Sequence, residues 1–175
     1  MKASKSTTNW TLYSLIAITV VAIGFGVYRS RQSAAAPQAP RQEQAAQAGS
    51  LVSLRPAIDL GTVSMAAGNV PFRYLIKNTG AGPLTINRIY TSCMCTNATL
   101  VMANERKGPF GMPGHGAPPP AVKALLAPGD LANVEVVFDP AAHGPSGLGR
   151  IERTVTLESA DAPPLELRMV VMVRP

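Results

Sequence analysis

In four separate segments of this chain apolar residues recur at every second position, and that period fits a β-strand with one buried face. Phe72, Tyr74 and Ile76 share a face of residues 71–78, and Val134, Val136 and Phe138 share one with Glu135 opposite. Val155 and Leu157 alternate with Thr154, Thr156 and Glu158, while Leu165, Leu167, Met169, Val171 and Val173 alternate with Glu166, Arg168 and Arg174. Between these segments stand turn-forming runs: Asn78-Thr79-Gly80-Ala81-Gly82-Pro83, Ala127-Pro128-Gly129-Asp130, and Asp139-Pro140 through Gly149. About seven short strands without an amphipathic helix predict an all-β domain, a two-sheet antiparallel sandwich of immunoglobulin-like topology. The core is expected at Phe72, Tyr74, Ile76, Val134, Val136, Phe138, Val155, Leu157, Leu167 and Met169. The inter-sheet disulfide of antibody domains is excluded, because Cys93 and Cys95 are one residue apart and cannot bridge separate sheets.

That domain occupies residues 51–175, long enough for a core without obligatory disulfides. Ahead of it, after a short basic segment at 1–9, residues 10–28 read WTLYSLIAITVVAIGFGVY, 19 residues without a charge. As a helix they span about 28 Å, the thickness of a bilayer's hydrocarbon core. Trp10 and Tyr28 stand at the two ends, where amphipathic rings favour the interface. A single-pass anchor is the expectation. A cleaved signal peptide competes with it through Ala34-Ala35-Ala36, but the run is long for one, and Arg29 and Arg31 separate it from those alanines. Lys2 and Lys5 on one side and Arg29 and Arg31 on the other nearly balance; the short basic head favours a cytoplasmic amino terminus and an extracytoplasmic domain. Residues 29–50, rich in Ala, Gln, Pro and Ser, have no aromatic residue and no apolar period, and read as a flexible linker.

Charge follows the same partition. The chain carries +6, but residues 51–175 hold 11 basic and 9 acidic side chains, so the high pI belongs largely to the membrane flanks and linker. No run of Lys and Arg with interleaved aromatics supports nucleic-acid binding.

Ser92-Cys93-Met94-Cys95-Thr96 holds both cysteines of the chain. On a strand, side chains at i and i+2 share a face, so two sulfurs are expected to point into one small volume, about 3 to 4.5 Å apart, fit for a soft metal or for oxidation. A Gly- and Pro-rich insertion follows at about 97–124; its segment Glu105 to Pro120 is a loop by composition and contains Met112 and His115. Folded back, it would bring a thioether and an imidazole to the two thiols, and Cys93, Cys95, His115 and Met112 together suit copper, particularly Cu(I). Zinc through two Cys, one His and a water would leave Met112 superfluous. The plainer alternatives are a solvated His115, a gap-filling Met112 and inert or disulfide-bonded cysteines. His143, in Ala142-His143-Gly144-Pro145, lies in a different turn and reads as a surface residue. No GxSxG, phosphate-cradling Gly-Lys-Ser/Thr loop, HExxH or paired carboxylate frame appears, so no enzymatic activity and no organic cofactor is expected.

Five short motifs in order, Asp59-Leu60-Gly61-Thr62-Val63, then Asn78-Thr79-Gly80 with Pro83-Leu84-Thr85-Ile86, then the Cys93-Met94-Cys95 segment, then Ala127-Pro128-Gly129, then Val136-Val137-Phe138-Asp139, resemble the DUF1573 family. Those are bacterial, mostly exported, immunoglobulin-like domains related to the ASPM, SPD-2 and Hydin modules. The resemblance covers most of 56–173 and implies a β-sandwich outside the cytoplasm, but little about activity. Met94 stands where the family often has Gly, and the insertion after the cysteines is a second departure. The expected function is a membrane-anchored, extracytoplasmic binding module holding copper for delivery or metalloenzyme assembly. Partners would be the membrane and another envelope protein or metalloenzyme. A metal-free structural or protein-interaction domain and a thiol-disulfide oxidoreductase are the alternatives.

Overall fold

The computed structural model describes residues 13, 19–21, 23–25, 28, 29, 48–114 and 119–175. The chain divides into two units, Met1–Arg41 and Gln42–Pro175. In the first, the described residues between Tyr13 and Arg29 are helical and exposed. Among the described residues no helix is long and apolar enough to cross a membrane. The rest of the anchor expected at 10–28, and linker residues 30–47, lie outside the described residues.

The second unit is a sandwich of two five-stranded sheets. One sheet orders β1 (Leu51–Ser53), β3 (Val70–Asn78), β8 (Leu131–Phe138), β5 (Thr96–Met102) and β6 (Glu105–Phe110). The other orders β2 (Ala57–Ser64), β10 (Leu165–Arg174), β9 (Gly149–Ser159), β4 (Leu84–Thr91) and β7 (Ala121–Leu126). The alternation holds in the core. Tyr74, Ile76, Ala98, Leu100 and Val134 of the first sheet form one buried cluster with Leu84, Ile86, Ile89, Leu126, Val155, Leu157 and Leu167 of the second. Each such aliphatic side chain, removed from water, contributes roughly 1.5 to 3 kcal/mol before ordering costs. Of the ten expected core residues nine are buried, and Phe72 is half-buried at the edge of the cluster. The Tyr74 hydroxyl donates to the Arg168 carbonyl at 2.6 Å, tying β3 of one sheet to β10 of the other.

Three expectations are corrected. The sandwich is not wholly antiparallel, because β2 runs parallel to β10, pairing Ile58 with Met169 and Val63 with Val173. The insertion is not a continuous loop: β5 and β6 form a hairpin turning at Ala103-Asn104, with Met102 opposite Glu105. Gly108 and Pro109 hid this strand in the sequence. They sit at a register shift on an edge strand, where a proline removes no hydrogen bond the sheet needs. Nor does the linker run free to residue 50. Gly49 is buried, and the Ser50 N–H donates to Asn78 Oδ1 at 3.0 Å while its carbonyl accepts from the Thr79 N–H at 2.8 Å. A Cβ on Gly49 would stand 2.4 Å from the Leu84 Cβ, so the domain begins by Ala48 and only glycine fits there.

Candidate functional site

The cysteines lie on a tight turn, not on a strand, where the chain passes from β4 in one sheet to β5 in the other. The turn closes on its own backbone: the Thr96 N–H donates to the Cys93 carbonyl at 3.2 Å. The buried Thr91 hydroxyl reaches the carbonyls of Cys93 and Thr96 at 2.9 and 3.0 Å. Ser92 fixes the turn to β9, its N–H donating to the Thr154 carbonyl and its hydroxyl accepting from the Thr154 N–H, both at 2.9 Å. A turn converges two side chains as well as a strand face does, and more closely. Cys93 and Cys95 Sγ are 2.6 Å apart, closer than the 3 to 4.5 Å expected, and both are free thiols.

Both sulfurs are packed at one end of the sandwich over a second apolar cluster of Phe138, Ile151, Met169, Val171 and Val173. Cys93 is 8% exposed and Cys95 2%, whereas Met94 at the tip of the turn is 65% exposed. Two residues from other parts of the chain complete the site. His143 Nε2 lies 3.0 Å from Cys93 Sγ, and the Arg153 Nε–H donates to Cys95 Sγ at 3.2 Å. His143 arrives there because the loop after β8 starts from the turn itself: the Asp139 N–H donates to the Cys95 carbonyl at 2.8 Å. Arg153 shares the parity of Ile151 and Val155 on β9, so this cation occupies an inward position at the sandwich end.

These neighbours make the two thiols unlike. Burial alone would push Cys93 up, but hydrogen bonds from the Cys95 side chain, the Cys95 N–H and His143, with the charge of Arg153, bring it down to about 7. Burial pushes Cys95 up and the hydrogen bond to Cys93 adds to the rise, with Arg153 and Thr96 only partly opposing it. Cys93 therefore ionises first and Cys95 holds the shared proton. Burial works against the charge of Arg153, yet the sulfurs facing it raise its pKa above the ordinary value.

Cys93, Cys95 and His143 place two sulfurs and a ring nitrogen within 4.8 Å of one another, a donor set for one metal ion. Ligand bonds of about 2.3 Å at a tetrahedral angle separate two sulfurs by about 3.8 Å. The thiols would turn apart by about 1 Å to admit an ion, and the exposed His143 side leaves the site open for that movement. Of the residues singled out from sequence, the two cysteines meet; Met112 is 47% exposed in the loop after β6; His115 lies outside the described residues. The Gly111 carbonyl accepts from the Thr91 N–H at 3.2 Å, so the Met112 loop starts beside the strand that leads into the cysteine turn. His143 and Arg153 were missed. Arg153 had a signal, a charged residue in phase with the apolar face of β9, whereas nothing local marks His143, 50 residues from its partner.

The DUF1573 family profile, described as "Protein of unknown function (DUF1573)", matches residues 53–109, the family that the order of motifs resembles. The matched stretch runs from the end of β1 through β6 and includes both cysteines. A search of curated proteins finds no match. Among solved structures, a protein of unknown function from Porphyromonas gingivalis W83 superposes with a TM-score of 0.53 at 19% identity, over 73% of this chain and 48% of that one. The likeness is one of fold, and this chain spans about half the length of that protein. The ASH / PapD-like domain 7 of human CEP192 aligns over 80% of this chain and 94% of its own at 10% identity and a TM-score of 0.42. The CooA pilin subunit from enterotoxigenic Escherichia coli aligns over 73% and 99%, also at 10% identity, with a TM-score of 0.38.

Proposed function

We propose that this β-sandwich is a non-enzymatic metal-binding module that holds a copper ion on Cys93, Cys95 and His143 for delivery to, or assembly of, a metalloenzyme. One observation carries the proposal: two thiols and an imidazole from separate parts of the chain converge within 4.8 Å at the rim of an otherwise apolar sandwich end. Soft sulfur donors with an imidazole suit copper, and a Cys93 thiol whose pKa is lowered to about 7 yields its proton to a metal more readily than an ordinary thiol. The uncharged run at 10–28 supports a place for the domain on the outer face of a membrane, on a tether long enough to reach a partner. In this proposal the three donors suffice for the ion, and the loop that starts beside Thr91 and carries Met112 is not required for it.

Anaerobic titration with Cu(I) against a chromogenic chelator tests it. One equivalent should bind, Cys93→Ser should abolish binding, and His143→Ala should weaken it about tenfold or more, as loss of a ligand or its orientation does. Absence of binding, or indifference to Cys93→Ser, overturns the proposal. Met112→Leu and His115→Ala report separately whether the loop joins the site.

Thiol-disulfide exchange is favoured by one observation, the 2.6 Å between the sulfurs. In that chemistry the Cys93 thiolate would attack a substrate disulfide and Cys95 would displace the mixed disulfide, leaving the protein oxidised and the substrate as two thiols. Catalytic attacking cysteines sit in partly exposed surroundings, and Cys93 at 8% exposure is poorly placed for a bulky disulfide. Turnover of insulin disulfides with dithiothreitol as reductant would establish the exchange activity; a rate no faster than the uncatalysed one excludes it.

A further inference from the structure

We propose that Arg153 makes the Cys93, Cys95 and His143 site selective for a singly charged metal ion over a doubly charged one, an inference that rests on the metal-binding function proposed above. Arg153 is built into the site. Its Nε–H donates to Cys95 Sγ at 3.2 Å, and a second guanidinium N–H donates to the Glu152 carbonyl at 2.8 Å, fixing the plane of the group against the sulfur. Among the described residues no carboxylate forms an ion pair with Arg153; the neighbouring Glu152 side chain faces Arg168 instead, at 4.0 Å. Among the described residues, the positive charge that this side chain carries inward from β9 faces the cysteine sulfurs and no carboxylate.

Charge counting then separates the candidate ions. With both thiols ionised and the imidazole neutral, two thiolates and one guanidinium leave a single negative charge. A monovalent ion closes that balance. A divalent ion overshoots it, leaving a net positive charge beside sulfurs that are only 8% and 2% exposed, where water screens poorly. The ligand count points the same way. Among the described residues Cys93, Cys95 and His143 are joined by no fourth His, Cys, Asp or Glu. Structural zinc is almost always held by four protein ligands, whereas Cu(I) is satisfied by three soft or borderline donors. Removing the guanidinium charge should therefore strengthen Zn(II) more than Cu(I), a shift in their ratio that simple damage to the site does not produce. Lys in place of Arg keeps the charge while losing the planar fork, so it isolates charge from hydrogen-bond geometry.

The full-length protein, its wild type compared with R153L, R153Q and R153K, is titrated anaerobically with Cu(I) and separately with Zn(II), each against a competing chelator. In R153L and R153Q the ratio of Cu(I) to Zn(II) affinity should fall about tenfold or more, with Zn(II) bound more tightly than by wild type, while R153K should stay within about threefold of wild type. An unchanged ratio in R153L and R153Q overturns the inference, and so does a parallel loss of both affinities, which marks Arg153 as a structural support. Wild-type protein that binds neither ion overturns the metal site itself, a result distinct from failure of the selectivity alone.

Discussion

Cys93 and Cys95 are chemically equivalent in an unfolded chain, and the fold separates them by what each faces. Cys93 receives the Cys95 backbone N–H at 3.4 Å and stands 3.0 Å from His143 Nε2, while Cys95 is more deeply buried and shares its sulfur's hydrogen bonds with a neighbouring thiolate. A folded-state pKa lowered to about 7 means that the Cys93 thiolate fraction rises as pH passes upward through that value. Alkylation by iodoacetamide, assigned by tandem mass spectrometry, should accordingly modify Cys93 first, with a rate that climbs between about pH 6 and 8 and levels off above. Cys95, pushed the other way by burial and by the hydrogen bond to Cys93, should follow only at higher pH. In R153L the midpoint for Cys93 should move upward, because a cation that favours the thiolate is gone. Equal reactivity of the two thiols across that range would contradict the asymmetry.

At the scale of strands and turns, Asn78 joins the first sheet to its surroundings. This fully buried side chain accepts from the Ser50 and Gly80 N–H groups, both at 3.0 Å, and donates to the Gly82 and Leu126 carbonyls at 2.9 and 3.1 Å. Asn78→Ala strands four backbone groups at once, and urea denaturation should show a loss of about 3 kcal/mol or more. The Ser50 contacts also predict that a fragment starting at Ala48 outlasts one starting at Leu51 by about 1 to 3 kcal/mol, since the shorter one loses two backbone partners and the packing of Gly49 on Leu84. Equal midpoints would return residues 48–50 to the linker. Strands such as β3, β8, β9 and β10 were legible because their inward positions are apolar at period 2, a signal each segment carries by itself. Pairing is not local, so neither the parallel match of β2 with β10 nor β6, interrupted by Gly108-Pro109, could be read from alternation. The site divides in the same way: the cysteine pair was visible, Arg153 was missed although it stands as a cation in phase with an apolar face, and His143 depends on a loop hung from the Cys95 carbonyl.

For the whole molecule the two buried clusters separate folding from metal. The larger one draws on both sheets and contains neither cysteine, so its aliphatic burial does not depend on an occupied site; the cysteines belong to the smaller cluster at one end. This is unlike a small zinc domain, which is unfolded without its ion. The apo domain should therefore melt cooperatively, and Cys93→Ser with Cys95→Ser should shift its Tm by only a few degrees, as a change of about 1 kcal/mol does in a domain of this size. Added Cu(I) should raise the wild-type Tm, because an ion that binds only the folded state stabilises it by about 2.7 kcal/mol at a free concentration 100 times Kd. The double variant should show no such rise. Scanning calorimetry of both proteins with and without Cu(I), under argon, measures all four values. An apo protein without a cooperative transition would mean that the turn between β4 and β5 needs its ion to form, and that the larger core is not enough to hold the sandwich.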